Sequence, residues 1–208
     1  MNGERFLRKL FDDMILKYRI EREERREKLA KESGGSRVVF VHELLECPHK
    51  QSMRERFSEI ELASTLNPRF VVGWIIEEGV RRIVGAESVQ WHKRLDDMKI
   101  VIAGEADLVT GDRVIEVKFL SSLYGTPHEH HVDQLRMYLW GLDKDIGELW
   151  MFSPEGVIFN EYQKMTDEEV RERLSRVSNS QTPLYDWECK LCIFEQFCEK
   201  SNRRAEKK

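Results

Sequence analysis

The stretch Gly104 to Phe119, GEADLVTGDRVIEVKF, constrains this chain more than any other. Two alternating runs rich in β-branched residues flank Gly111-Asp112, and a Gly at the first central position suits a two-residue type II′ hairpin turn. Counting outward from that turn sets Thr110 opposite Arg113, Val109 opposite Val114, Leu108 opposite Ile115 and Asp107 opposite Glu116, with Glu105 level with Lys118. Side chains alternate along a strand, so Glu105, Asp107, Glu116 and Lys118 are expected on one face and Ala106, Leu108, Ile115 and Val117 on the other.

Cβ atoms of directly opposed residues lie roughly 4.5 to 5.5 Å apart, and like charges there repel. Two carboxylates so placed, on strands whose other face is apolar, call for a cation between them. Hard oxygens at that separation suit Mg²⁺ or Mn²⁺, and a lysine two residues along can hold a water at the metal. The pattern is a candidate hydrolytic metal site. The alternative is a solvated hairpin face on which Glu105 pairs with Lys118 and Asp107 stays wet.

The chain has 208 residues, 40% of them hydrophobic, enough for one sizeable core. Its 34 basic and 38 acidic residues give a formal net charge of -4. A whole-molecule basic field is therefore excluded, and contact with nucleic acid would need a local basic strip and a bound metal. The N-terminus lacks the apolar run of a signal peptide, and nothing approaches the roughly 18 apolar residues of a membrane span. A soluble, cytoplasmic protein is expected.

Residues 4 to 32 read as one long helix with an apolar stripe of Leu7, Leu10, Phe11, Met14, Ile15 and Tyr18. From Glu21 onward nearly every residue is charged, with Glu and Lys or Arg in i,i+4 order, which reads as a solvated extension. Ser33-Gly34-Gly35-Ser36 reads as a flexible linker, dividing residues 1–36, a charged helix, from the domain at 37–208. Asn67-Pro68 marks a helix start and Gly85 its end; Ile76, Val80 and Ile83 form the expected core stripe, leaving Glu77 at its edge as a surface residue or a ligand. Strands follow at 88–94 and 99–104, then the hairpin. A helix over about 132–142 places His131, Gln134 and Tyr138 along one side. His128, His130 and His131 invite a zinc reading, against which stands the lack of a matching cysteine or acid nearby in sequence. A second hairpin spans 148–163, and Thr166 to Glu169 is a capping box opening a further helix.

Cys189, Cys192 and Cys198 have C-x2-C-x5-C spacing, and the remaining cysteine is Cys47. Disulfides are not expected in a cytosolic chain, and clustering argues against four unrelated thiols. A tetrathiolate metal site would staple residue 47 to the C-terminal segment. Structural zinc competes with a four-iron cluster, although zinc more often uses two paired C-x2-C units.

In order along the chain stand Cys47-Pro48, G-x3-E (Gly73 to Glu77), GEAD ending at Asp107, E-V-K (Glu116 to Lys118), H-x2-Q-x3-Y (His131, Gln134, Tyr138) and C-x2-C-x5-C. That series resembles the CRISPR-associated RecB-like nucleases with a four-cysteine iron-sulfur cluster, of the PD-(D/E)XK superfamily, over about residues 38 to 200. The resemblance implies an α/β restriction-endonuclease-like core, a central mixed β-sheet flanked by helices, with an iron-sulfur region built from N- and C-terminal segments. It implies that Asp107, Glu116 and the Val117 carbonyl bind Mg²⁺ or Mn²⁺, that Lys118 orients the attacking water, and that Gln134 and Tyr138 position DNA. Cys47, Cys189, Cys192 and Cys198 would hold a structural [4Fe-4S] cluster. Glu77 stands where the family usually has a histidine ligand. The activity implied is a DNA exonuclease on single-stranded ends, 5′ to 3′ and with possible endonuclease action, in CRISPR spacer acquisition beside the adaptation integrase. A RecB-like nuclease of repair or of a mobile element, or a non-catalytic DNA-binding iron-sulfur subunit, are the alternatives.

Overall fold

A computed structural model describes residues 2–65, 67–125, 127–179 and 182–202, apart from the side chains of residues 14–18 and 65. The chain opens with α1 (Gly3–Ile15), passes through a π-helical stretch (Leu16–Glu21) and continues as α2 (Arg22–Glu32). The expected single helix is thus continuous but changes winding midway. Leu10 of the expected stripe is buried while Leu7 is exposed; Met14, Ile15 and Tyr18 have side chains outside the described residues.

The charged half of this helix is not a solvated extension. Leu29 is buried against Val38, Phe40, Val101 and Ala103. Arg26 donates to the Val38 carbonyl at 2.8 Å and to Glu43 at 2.6 Å. Nor are residues 33–36 a loose linker. Gly35 N–H bonds the Ala30 carbonyl and Gly34 N–H that of Lys31, with Gly34 at φ +68, which is a Schellman turn. That turn folds β1 (Arg37–Phe40) back along α2. Short helices follow: α3 (Val41–Leu44), α4 (Pro48–Arg56, with Pro48 in its first turn) and α5 (Ser58–Thr65). Next comes α6 (Pro68–Val84), capped by Asn67 accepting from Arg69 N–H and ended by left-handed Gly85. Its buried side is Val80 with partly buried Ile76; Ile83, expected in the core, is 88% exposed.

The remaining elements are β2 (Glu87–Leu95), β3 (Ile100–Thr110), β4 (Arg113–Phe119), α7 (Glu129–Gly141), β5 (Ile146–Ser153), β6 (Gly156–Gln163), α8 (Asp167–Ser178) and α9 (Glu188–Leu191). The strands form one mixed six-stranded sheet ordered β1-β3-β4-β5-β6, with β2 also paired to β3. β1 runs parallel to β3 and β4 parallel to β5; the other pairs are antiparallel. Helix α7 covers one face through Leu135, Met137 and Leu139, which pack with Ile102, Val114 and Leu149. Helices α2 and α6 cover the other. No helix among the described residues is long and apolar enough to cross a membrane.

One edge of β3 is shared. β1 pairs with residues 100–103 and β4 with 108–110, so residues 104–107 lie in the gap where the two neighbours part. Parting strands leave a crevice at their carboxyl ends, the usual place for a site in an open α/β sheet.

Candidate active site

The hairpin turn is as expected: Gly111 has φ +57, and Thr110, Val109 and Leu108 pair with Arg113, Val114 and Ile115. The ladder stops there. Asp107 does not sit opposite Glu116 as a ladder partner; its Oδ2 accepts the Val117 N–H at 2.9 Å. Glu105 is not level with Lys118 but pairs with Gln90 of β2, whose Nε2 donates to its Oε2 at 3.1 Å. The cause is a bulge in β3. Between Glu87↔Val109 and Val89↔Ala106, β3 spends three steps against two on β2, which inverts the in-out alternation. Ala106 therefore packs toward α7, while Leu108, Ile115 and Val117 pack toward α6.

Glu116 is completely buried, its Oε1 paired with Lys118 Nζ and its Oε2 without a hydrogen-bond partner. Burial and then the neighbouring Asp107 push its carboxyl well above the usual carboxylate range. Burial opposes the charge on Lys118, but Glu116 and Asp107 outweigh it and hold the ammonium above its ordinary value. Lys118 is therefore a fixed cation at neutral pH. The orphaned Oε2 matters most, because a buried carboxylate oxygen with no donor is costly unless a cation faces it.

Glu77 of α6 lines the same crevice as Asp107 and Lys118 and accepts from Arg81 Nη2 at 2.5 Å. It is a groove residue held by an arginine, not a surface glutamate. On the opposite wall Gln134 Nε2 donates to Tyr138 Oη at 2.9 Å. Burial, then Glu116 and Asp107, raise the Tyr138 phenol well above its ordinary value, so it stays protonated facing the acids. A Cβ on Gly104 would come 2.8 Å from the Trp91 ring and 2.9 Å from that of Tyr138, so glycine is what lets the two rings meet over β3. His131 lines an adjoining cavity that shares Glu77, Lys118 and Gln134 with the crevice, and burial lowers its pKa to about 2, leaving it neutral.

Among the described residues no three His, Cys, Asp or Glu side chains converge tightly enough to hold an ion by themselves. That does not disqualify Mg²⁺ or Mn²⁺, which commonly take one or two carboxylates plus substrate phosphates and water. Asp107 and Glu116 supply that donor set.

The four cysteines, far apart in sequence, line one cavity of about 260 Å³. None is disulfide-bonded. Burial raises the Cys47 thiol to about 11, with Glu188 and then Cys198 adding to it, and also raises Cys192, with Cys198 and Cys189 adding. Glu188 joins the two segments: its Oε1 accepts from Cys47 N–H at 2.7 Å and its Oε2 from the N–H groups of Leu184 and Tyr185. Four unbridged thiols therefore share one cavity, although among the described residues no three of them converge tightly enough to hold an ion. The histidines expected as a weaker zinc candidate form a ring cluster, with His130 and His131 centroids 4.0 Å apart. It meets the cysteine cavity through His130.

The crevice also contains residues that sequence patterning did not single out. Arg22 and Arg25 of α2 and His42 of α3 line it beside Asp107 and Lys118. The two arginines' only sequence signal was a charged run interrupted by Leu29.

No protein-family model matches the chain. The chain is homologous to the CRISPR-associated exonuclease Cas4 of Saccharolobus solfataricus, with 28% identity over 175 residues, 77% of this chain and 87% of that one. The crystal structure of SSO0001 superposes with a TM-score of 0.73 at 26% identity, covering 79% of this chain and 86% of that one. An alkaline exonuclease from Laribacter hongkongensis reaches a TM-score of only 0.46 at 15% identity, over 81% of this chain and 93% of that one. The strong match thus agrees with the mixed sheet flanked by helices.

Proposed function

We propose that the chain is a divalent-metal-dependent deoxyribonuclease of the CRISPR-associated exonuclease type. The observation that carries this reading is the buried Glu116 carboxylate, one oxygen paired with Lys118 and the other partnerless, beneath the crevice that Asp107 and Lys118 line. Asp107, Glu116 and the Val117 carbonyl would hold Mg²⁺ or Mn²⁺, with Glu77, which lines the same crevice as Asp107, a further candidate ligand. A bound ion of this kind neutralises charge on a phosphodiester and makes a water nucleophilic at neutral pH. Lys118, held cationic by its acidic neighbours, orients that water and offsets the negative charge that grows on the phosphate. The Gln134 to Tyr138 hydrogen bond fixes a phenol and an amide on the facing wall, positioned to hold the strand, with His131 a neutral neighbour. Cys47, Cys189, Cys192 and Cys198 would carry a structural [4Fe-4S] cluster that closes the N- and C-terminal segments over α7.

The substrate we assign, on the motif resemblance, is single-stranded DNA ends, degraded 5′ to 3′ with internal cuts as a second activity, during spacer acquisition beside the CRISPR integrase. The test is Mn²⁺-dependent cleavage of labelled single strands by the wild type, Glu116→Ala and Lys118→Ala. Loss of about 10²-fold or more in both variants supports the reading; equal cleavage by all three defeats it.

A further inference from the structure

We propose that Arg22 is a docking point for a backbone phosphate of the strand in the crevice, so that the charged N-terminal helix is part of the nucleic-acid site. The inference rests on the nuclease reading above and names how that site holds its anionic substrate. Four arginines cluster where α2 meets the sheet, and three of them are held by carbonyls or carboxylates. Arg25 Nη2 donates to the carbonyls of Trp91 at 2.6 Å and Gly104 at 3.1 Å. Arg26 is held by Glu23, Glu43 and the Val38 carbonyl. Arg54 is forked onto Glu46 and also reaches Glu61 at 2.9 Å.

Arg22 differs. Its Nε is buried with no hydrogen-bond partner, and the nearest carboxylate oxygen, on Glu23, is 4.0 Å away. Among the described residues its one hydrogen bond runs from Nη1 to Nε2 of His42 at 3.1 Å, with Glu43 acting on it only at longer range. Burial, then the Arg22 charge, bring His42 down to about 4, so the ring is neutral and accepts. Neutral imidazole aims the guanidinium without discharging it. A charged donor left half-satisfied is costly unless something anionic completes it, and a planar guanidinium suits the paired oxygens of a phosphodiester.

Position supports the same conclusion. Arg22 lines the crevice of about 310 Å³ that contains Asp107 and Lys118. A strand entering there meets the carboxylates of Glu77, Glu105 and Asp107, so cations besides the metal are needed on the facing wall. The π-helical winding of residues 16–21 ends immediately before Arg22, and such irregular turns recur at functional sites.

The experiment measures binding of a fluorescein-labelled oligothymidylate by anisotropy in EDTA, across a salt series, for the full chain and for Arg22→Gln and Arg22→Lys. Each phosphate contact on a single strand contributes roughly -0.7 to the slope of log K against log salt. Arg22→Gln is expected to make the slope about 0.7 less steep, while Arg22→Lys keeps the slope and weakens binding a few-fold. A residue of purely structural importance would lower affinity without moving the slope, and that result overturns the proposal, as does wild-type binding by Arg22→Gln. Should Arg22→Gln fail to fold by circular dichroism, Arg22→Lys decides: about three-fold weaker binding supports the contact and unchanged binding refutes it. Cleavage by the wild type with Mn²⁺, run in parallel, separates failure of this contact from failure of the nuclease reading.

Discussion

Replacing Asp107 with asparagine should stabilise the metal-free protein and abolish its response to Mn²⁺. Asparagine keeps an acceptor for the Val117 N–H that Asp107 now receives at 2.9 Å, and it leaves the Glu116 to Lys118 pair intact. What it removes is repulsion between two carboxylates, one of them completely buried. For unit charges about 6 Å apart at an effective dielectric of 20, that repulsion is about 3 kcal/mol. Partial protonation of Glu116 relieves some of it, and the lost attraction to the Lys118 ammonium and a weakened charge-assisted hydrogen bond each return about 1 kcal/mol. The net is a gain of about 1 kcal/mol or less, a rise in Tm of up to roughly 3 °C for a chain of this size. The wild type should instead gain about 2.7 kcal/mol from Mn²⁺ at a hundred times its Kd, while the variant gains almost nothing. Differential scanning fluorimetry with EDTA or Mn²⁺ reads all four conditions. A lower metal-free Tm for Asp107→Asn, or equal Mn²⁺ shifts in both proteins, would refute the reasoning.

Three further outcomes follow from particular contacts. Leu29→Ala should cost about 2 to 5 kcal/mol in urea denaturation, because Leu29 packs on Val38, Phe40, Val101 and Ala103; a solvated helix would lose almost nothing. His42 has a folded pKa of about 4 against 6.5 unfolded, so the unfolded chain takes up its proton first. Its contribution is intact above pH about 6.5 and lost as pH falls toward 4, worth about 3 kcal/mol, which His42→Gln should remove from the urea-stability profile over that window. Cys192→Ser should lower folding stability and remove any visible absorption near 400 nm (roughly, for iron-sulfur charge transfer); a colourless wild type containing zinc would replace the cluster by a zinc tetrathiolate.

Local chemistry was legible in the sequence wherever one residue type fixes one conformation. Gly111 set the hairpin turn, Asn67-Pro68 and Gly85 bounded α6, and Thr166 with Glu169 capped α8. Pairing beyond the turn was not, because the bulge in β3 depends on β2, a strand that the hairpin's own pattern does not contain. The β3–β4 ladder ends at Leu108 and Ile115, so Asp107 and Glu116 are not ladder partners, yet Asp107 remains close enough to raise the Glu116 carboxyl. The packing of α2 was hidden for a different reason. A single buried Leu29 amid charges carries little periodic signal, and arginine stems cover apolar surface while their heads find carbonyls. Ile83 shows the converse, an apolar residue at core spacing that is left exposed on α6. The approach of Arg22 and His42 to the acids is purely tertiary and has no local signature.

The central claim, that Asp107 and Glu116 share one divalent cation, is tested most directly by anomalous diffraction from a crystal grown with Mn²⁺. The account predicts a peak within roughly 2.2 Å of one oxygen from each carboxylate and of the Val117 carbonyl. Clear density for Asp107 and Glu116 with no anomalous peak between them would contradict it.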